Sequence, residues 1–227
     1  MNTQIKLSNL DYYEAARYLG YVQNEIDADT RRLMEQCEDE IMTKVSPRGM
    51  YRVFDVTQVD EGVDVVGTNL VLTGQSIKNH LAGCDRAVLM AVTLSDVADR
   101  LIRTFQVTDM AKAVIMDSMA SVAVEQACNN LEEEIRREMP EYYQTFRFGL
   151  GYGDLPIGLQ RDFIKTLNAD KMIGLHVNES LMLVPTKSVT AVIGLSKEPV
   201  KGQARGCQTC NLRDRCKFRE KGGHCNG

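Results

Sequence analysis

Residues 86–95, "RAVLMAVTLS", form an almost wholly apolar run of strand length. A strand with one wet face alternates polar and apolar side chains, and this one does not, so both of its faces need cover. The chain therefore has to build a sheet with other elements packed on its two sides. Ahead of that run, "YRVFDVTQVDEGVDVVG" shows a two-residue alternation broken by "DEG", which predicts a hairpin. "QSIKNHLAGC" predicts a short helix closed by Gly83.

Helices surround these strands. Residues 8–42 carry apolar side chains three and four apart, with acidic groups near the starts of two segments. The pattern from Leu94 to about Tyr142 is helical again, with a break at "QVTD", where Thr108 or Asp109 can cap a longer helix. That helix, rich in Ala and Met and then in charge, is expected to be buried at one end and wet at the other. "IGLQRDFIKTLNA" reads as a helix with Pro156 at or near its first turn, and "ESLMLVPTKSVTAVIGLS" as a hairpin turned by Pro185, Thr186 and Lys187. Helices and strands alternate without a regular βαβ repeat. The expectation is an α+β fold, a single domain with a twisted, largely antiparallel sheet and flanking helices. "SKEPVKGQARG" is polar and lacks either period, placing a boundary near residue 200: a domain over 1–199 and a tail over 200–227.

The chain of 227 residues has a net charge of -4, with 44% hydrophobic and 26% charged residues. This composition is that of a soluble globular protein and argues against a generic nucleic-acid binder. The first residues lack a secretory pattern, and no apolar run approaches the roughly 20 residues of a membrane span. A cytoplasmic location is expected.

Seven cysteines are unevenly placed. Cys37, Cys84 and Cys128 are scattered and read as core thiols. Cys207, Cys210, Cys216 and Cys225 follow a C-x2-C-x5-C-x8-C pattern, which in a reducing compartment reads as a metal-ligand set. A four-iron four-sulfur cluster suits this irregular spacing better than zinc, which uses the same ligands. His224 beside Cys225 is an alternative ligand or a bystander. Basic residues between the cysteines (Arg213, Arg215, Lys217, Arg219 and Lys221) either offset thiolate charge or form a docking patch for an acidic partner.

The segment with the most chemical content is "RFGLGYGDLP", residues 147–156. Gly149, Gly151 and Gly153 leave the backbone unshielded, so a flat or bulky ligand can approach it closely. Arg147 offers a bidentate fork for a carboxylate or phosphate, and Tyr152 an aromatic face and a hydroxyl. The spacing is not that of a dinucleotide fingerprint, because no βαβ unit surrounds it. A simple turn between helices is the competing reading. Glu125, on the long helix, is a candidate acidic group for the same site or a surface carboxylate paired with a basic neighbour.

Over about fifty residues this region resembles the activation domain of cobalamin-dependent methionine synthase. An Arg-x-x-x-Gly-Tyr loop (Arg147, Gly151, Tyr152) is followed by a helix, an "ES" step (Glu179, Ser180) and a segment with Pro185, Ser188 and Val189. "DVTQVDEG" and "TGQSIKNHLAGCDRAVLMAVTL" look like short, free-standing relatives of that domain. The resemblance implies S-adenosylmethionine binding and reductive methylation of cob(II)alamin. It gives Arg147 the methionine carboxylate, the backbone around Gly149 and Gly151 the adenosyl portion, and Tyr152 the cobalamin face. No segment matches the family's acidic contact near the domain's start or its tyrosine beyond the hairpin. His80, His176 and His224 stand in contexts unlike a cobalamin lower ligand. The implied corrinoid is therefore carried by a partner, a cobalamin-binding methionine synthase subunit or another corrinoid protein, with a flavodoxin or ferredoxin as electron donor. The alternatives are a non-catalytic module that binds or loads a corrinoid protein, and a metal-ribbon regulator.

Overall fold

The computed structural model describes residues 2–21 and 25–200. Strand β1 (Asn2–Gln4) precedes helix α1 (Tyr12–Tyr18), which begins where the Asp11 carboxylate accepts the N–H groups of Tyr13 and Glu14. Helix α2 (Ala28–Lys44) begins in the same way at Asp27, which accepts from Thr30. Each carboxylate satisfies N–H groups that a first helical turn leaves without partners. Strands β2 (Arg48–Val59) and β3 (Gly62–Val65) make the expected hairpin, and β4 (Val71–Thr73) adds to its edge. Helix α3 (Gln75–His80) leads to β5 (Arg86–Thr93).

Helices α4 (Asp96–Thr108) and α5 (Met110–Glu138) meet at Asp109, whose side chain accepts the Lys112 N–H. Asp109 rather than Thr108 is the cap. The core positions of α5 run from Ala113 to Ile135, so one stripe is buried along its length instead of one end. Short strands β6 (Tyr143–Gln144) and β7 (Phe148–Gly149) follow. A 3-10 turn (Ile157–Leu159) begins just after Pro156 and passes into α6 (Gln160–Leu167) and α7 (Ala169–Ile173). Strands β8 (His176–Val177), β9 (Leu183–Val184) and β10 (Ser188–Ser196) close the described chain.

All strand pairings among the described residues are antiparallel. The main sheet runs β4-β3-β2-β5-β10, with β1 on the outer side of β2 and with β6 and β7 both on β10. The expected hairpin over 179–196 is not one. Strand β9 pairs with β8 in a separate two-stranded sheet, whereas β10 runs beside β5 through eight matched positions from Ser188 opposite Thr93 to Leu195 opposite Arg86. The longer apolar strand takes the longer apolar partner, which buries more than two residues of β9 could.

β5 explains the layering. Val88, Met90 and Val92 pack with α1, α2, α4 and α5 in one core; Ala87, Leu89 and Ala91 pack with α3, α6 and α7 in a second. The sheet is thus covered on both faces, as its central apolar run requires. Cys37 and Cys128 are buried core thiols, and half-buried Cys84 lies under Gly194, where an added Cβ would meet its Sγ at 2.6 Å.

Candidate functional site

Residues 145–155 cross the edge of the sheet beside β10. Gly149 lies inside β7, opposite Ala191, instead of in the loop. The loop proper begins at Leu150 and is closed by three backbone bonds: Gly151 N–H to Leu155 O (3.0 Å), Tyr152 N–H to Gly149 O (3.2 Å) and Leu155 N–H to Tyr152 O (3.1 Å). Gly151 and Gly153 take φ of +84° and +61°, a region that side chains disfavour. The Tyr152 ring meets Phe148 edge-on at 5.3 Å between centroids and remains 41% exposed. Gly149 differs from its neighbours: its φ is ordinary, and the nearest atom to an added Cβ is Thr190 O at 3.8 Å. Neither strain nor crowding within the protein calls for a glycine there.

Alternation along β7 turns Phe148 into the α3 core and Arg147 toward α5. The Arg147 guanidinium donates through Nη1 to Asn129 Oδ1 (2.7 Å) and Glu132, and through Nη2 to Glu125. Its side chain is 7% exposed, against 15% for Glu132 and 44% for Glu125. Burial works against the cation, but Cys128, Glu132 and Glu125 more than offset it, and the Arg147 pKa stands above its ordinary value. Glu125 and Glu132 both face this one guanidinium, and Glu125 also reaches solvent. With its side chain 7% exposed, the guanidinium is held mainly by acceptors of α5.

Glu125, Asn129 and Glu132 extend a stripe on α5 that begins at Asp117 and Ser121. The upper part of that stripe holds a second cation: Lys187 Nζ contacts Asp117 Oδ1 (2.8 Å), Asp117 O (2.9 Å) and Ser121 Oγ (2.9 Å). One helix face therefore ties down two segments of the sheet edge, the approach to β7 and the turn before β10. That turn is held from beneath by buried Asp99, which accepts the Thr186 N–H (2.9 Å) and hydroxyl (2.5 Å), and Ser188 Oγ lies 2.8 Å from Thr93 Oγ1. Tyr18 of α1 borders the Glu125 end; burial, then Glu14 and Glu125, push its phenol up to about 12.

Arg147 and Glu125 were sequence candidates and the fold joins them. Asn129, Glu132 and Lys187 were missed, although the spacing of 125, 129 and 132 places those three on one helix face. Glu179 and His176 line an open cavity of about 580 Å³ with Arg161, Lys165 and Asp170, on the side of the sheet where α6 and α7 pack. His80 is buried on α3. Cys207, Cys210, Cys216, Cys225 and His224 lie outside the described residues, and no group of His, Cys, Asp and Glu among the described residues is arranged to hold a metal ion. No helix among the described residues is long and apolar enough to cross a membrane.

An antiparallel sheet covered by helices on both faces, with an arginine-headed glycine loop at its edge, defines the class of fold. Residues 56–201 match the family model described as the vitamin B12 dependent methionine synthase, activation domain, and the chain belongs to that family. The crystal structure of the MetH reactivation domain bound to AdoHcy has the same fold: TM-score 0.69, 15% sequence identity, 98% of this chain and 86% of that one covered. No curated protein sequence matches the chain.

Proposed function

We propose that this protein is the reactivation component of a split cobalamin-dependent methionine synthase or a related corrinoid methyltransferase. In this reading it binds S-adenosylmethionine and presents the methyl group to cobalamin carried on a partner protein. The observation that carries the reading is the Arg147 cluster beside Gly149. The Arg147 cation suits a carboxylate, solvent-reaching Glu125 suits a cationic group, and a glycine that the protein's own packing does not require leaves room for a nucleoside at the backbone. S-adenosylmethionine has all three features. Arg147 and Glu125 would engage its amino-acid end, Gly149 and Gly151 its adenosyl portion, and exposed Tyr152 would meet the corrin.

Reductive methylation takes one electron to bring cob(II)alamin to cob(I)alamin. The methyl group then moves to cobalt while the sulfonium sulfur keeps the electron pair of the broken C–S bond and leaves as a neutral thioether. The second step draws the unfavourable first one forward. Residues 200–227 would form a separate metal-binding tail. There Cys207, Cys210, Cys216 and Cys225 would hold a four-iron four-sulfur cluster near the incoming electron, which a flavodoxin or ferredoxin would supply.

Calorimetric titration with S-adenosylmethionine tests the binding step, and saturable one-to-one binding is expected; no binding overturns the reading. Methyl transfer to a cob(II)alamin-bearing partner under a low-potential reductant separates reactivation from the alternative, a module that only binds or loads the corrinoid protein. Iron analysis of anaerobically prepared protein decides the tail. About four irons, lost in Cys210→Ser, is the expected result, and a single zinc rejects the electron-relay role.

A further inference from the structure

The glycine loop owes its shape to a helix some seventy residues earlier in the chain. Asp154 Oδ2 accepts the Gln75 N–H (2.7 Å) and Oδ1 accepts the Ser76 N–H (2.8 Å), so a loop carboxylate caps the start of α3. No residue next to α3 does this: its own cap position is Gly74, which makes no side-chain bond. The fit is close on both sides. A Cβ on Gly74 would lie 2.7 Å from Asp154 Oδ1, and one on Gly153 would lie 2.7 Å from Ser76 Oγ. At the other end of α3, His80 Nε2 lies 2.8 Å from Thr145 Oγ1, which also accepts the Gly194 N–H at 2.8 Å. The segment from Thr145 to Asp154 is therefore fastened at both ends to a six-residue helix, about 9 Å long. Arg147, Gly149, Gly151 and Tyr152 all lie between the two fastenings.

We infer that α3 is a splint for the ligand loop and that Asp154 is a positioning residue for the site, acting through the loop backbone without touching the ligand. This rests on the binding reading above and adds to it a residue that no contact with Arg147 would reveal. A loop with glycines at 151 and 153 samples many conformations when untethered, and ordering it at the moment of binding costs affinity. The cap removes that cost in advance. The Ser76 N–H, the Ser76 hydroxyl and then the Gln75 N–H hold the Asp154 carboxyl below the usual carboxylate range, as expected of a carboxylate gripped by two amides.

Asp154→Ala and Asp154→Asn in the full chain test the inference through amide hydrogen exchange and through titration with S-adenosylhomocysteine. In Asp154→Ala the Gly151, Tyr152 and Leu155 amides should exchange about tenfold faster, and affinity should fall about tenfold. Asn keeps one acceptor oxygen and is itself a good cap, so Asp154→Asn should recover most of both effects. Unchanged exchange in Asp154→Ala overturns the splint whatever the ligand does. Faster exchange with unchanged affinity overturns the positioning role. Failure of the unsubstituted protein to bind overturns the binding reading instead, and the exchange data still decide whether Asp154 sets the loop.

Discussion

Arg147 and Glu125 stand 22 residues apart in the chain and form an ion pair at the edge of the sheet, with Glu132 on the other side of the same guanidinium. The arrangement does two things at once. It anchors the approach to β7 on α5, and it leaves part of the Glu125 carboxylate exposed to solvent. Truncating Arg147 therefore disturbs the fold as well as the site. Arg147→Ala takes the guanidinium away from two carboxylates, one of them mostly buried, and should lower unfolding free energy by about 3 kcal/mol. Glu125, which reaches solvent, is the cleaner probe. Glu125→Gln should keep the fold and weaken S-adenosylmethionine and S-adenosylhomocysteine alike by about fivefold, on the order of 1 kcal/mol of charge interaction, because both carry the α-ammonium that Glu125 would face. Parallel titrations of both ligands check this, and unchanged affinities would remove the electrostatic role.

Gly153 gives a test of the loop's backbone that needs no ligand. Its φ of +61° disfavours a side chain, and an added Cβ would press on Ser76 Oγ at 2.7 Å and Cβ at 2.8 Å. Gly153→Ala should cost about 2 kcal/mol in urea unfolding, part conformational and part steric. Ser76→Gly alone loses the hydroxyl's bond to Asp154, so the steric part is read from the double-mutant cycle, in which the double variant should be about 1 kcal/mol more stable than the sum of the two single losses. An unchanged midpoint in Gly153→Ala would mean that the loop relaxes freely.

Asp99 supports the turn before β10. Buried and accepting both the N–H and the hydroxyl of Thr186, it holds residues 185–187 against α4. Asp99→Ala leaves the Thr186 N–H without an acceptor and should destabilise by about 2–3 kcal/mol, with faster exchange of the Thr186 amide. Thr186→Val keeps the N–H bond and should lose about 1 kcal/mol. If the two variants unfold at the same denaturant concentration, the backbone bond contributes nothing.

Local signals predicted much of this fold and non-local ones explain the misses. The apolar run of β5 announced a sheet covered on both faces, and Asp109 announced the start of α5, because each property belongs to a few adjacent residues. The pairing of β9 with β8 was not legible, since "LMLV" suits either neighbour and burial of β10 against β5 decides the matter. Strands β6 and β7, two residues each, are too short for any period to register. At the site, Arg147 stood out by its place ahead of the glycines, whereas Asp154 looked like an ordinary turn residue. Its partners are 78 and 79 positions away, and nothing in the sequence near either end points to the other.

His80 gives the fold a definite pH response. It is 3% exposed, with its ring against Phe146 and Phe148 at 4.6 and 4.9 Å, and it reaches the loop through Thr145. Burial disfavours the imidazolium and pulls the pKa down to about 4, a bond with the Phe146 backbone opposing in part. Unfolded, the same side chain titrates near 6.5. Between these values the unfolded chain binds the extra proton and the folded one does not, so stability rises with pH across that window and is fully present above it. The whole contribution, about 3 kcal/mol at most, should disappear as the pH falls from about 6.5 to about 4. Urea midpoints measured at intervals of pH for the unsubstituted protein and for His80→Gln separate this from the general effect of acid on carboxylates. The variant should be less stable at pH 7 but should show a flatter slope between pH 6.5 and 5. Parallel slopes in the two proteins would mean that His80 takes up its proton without leaving the core.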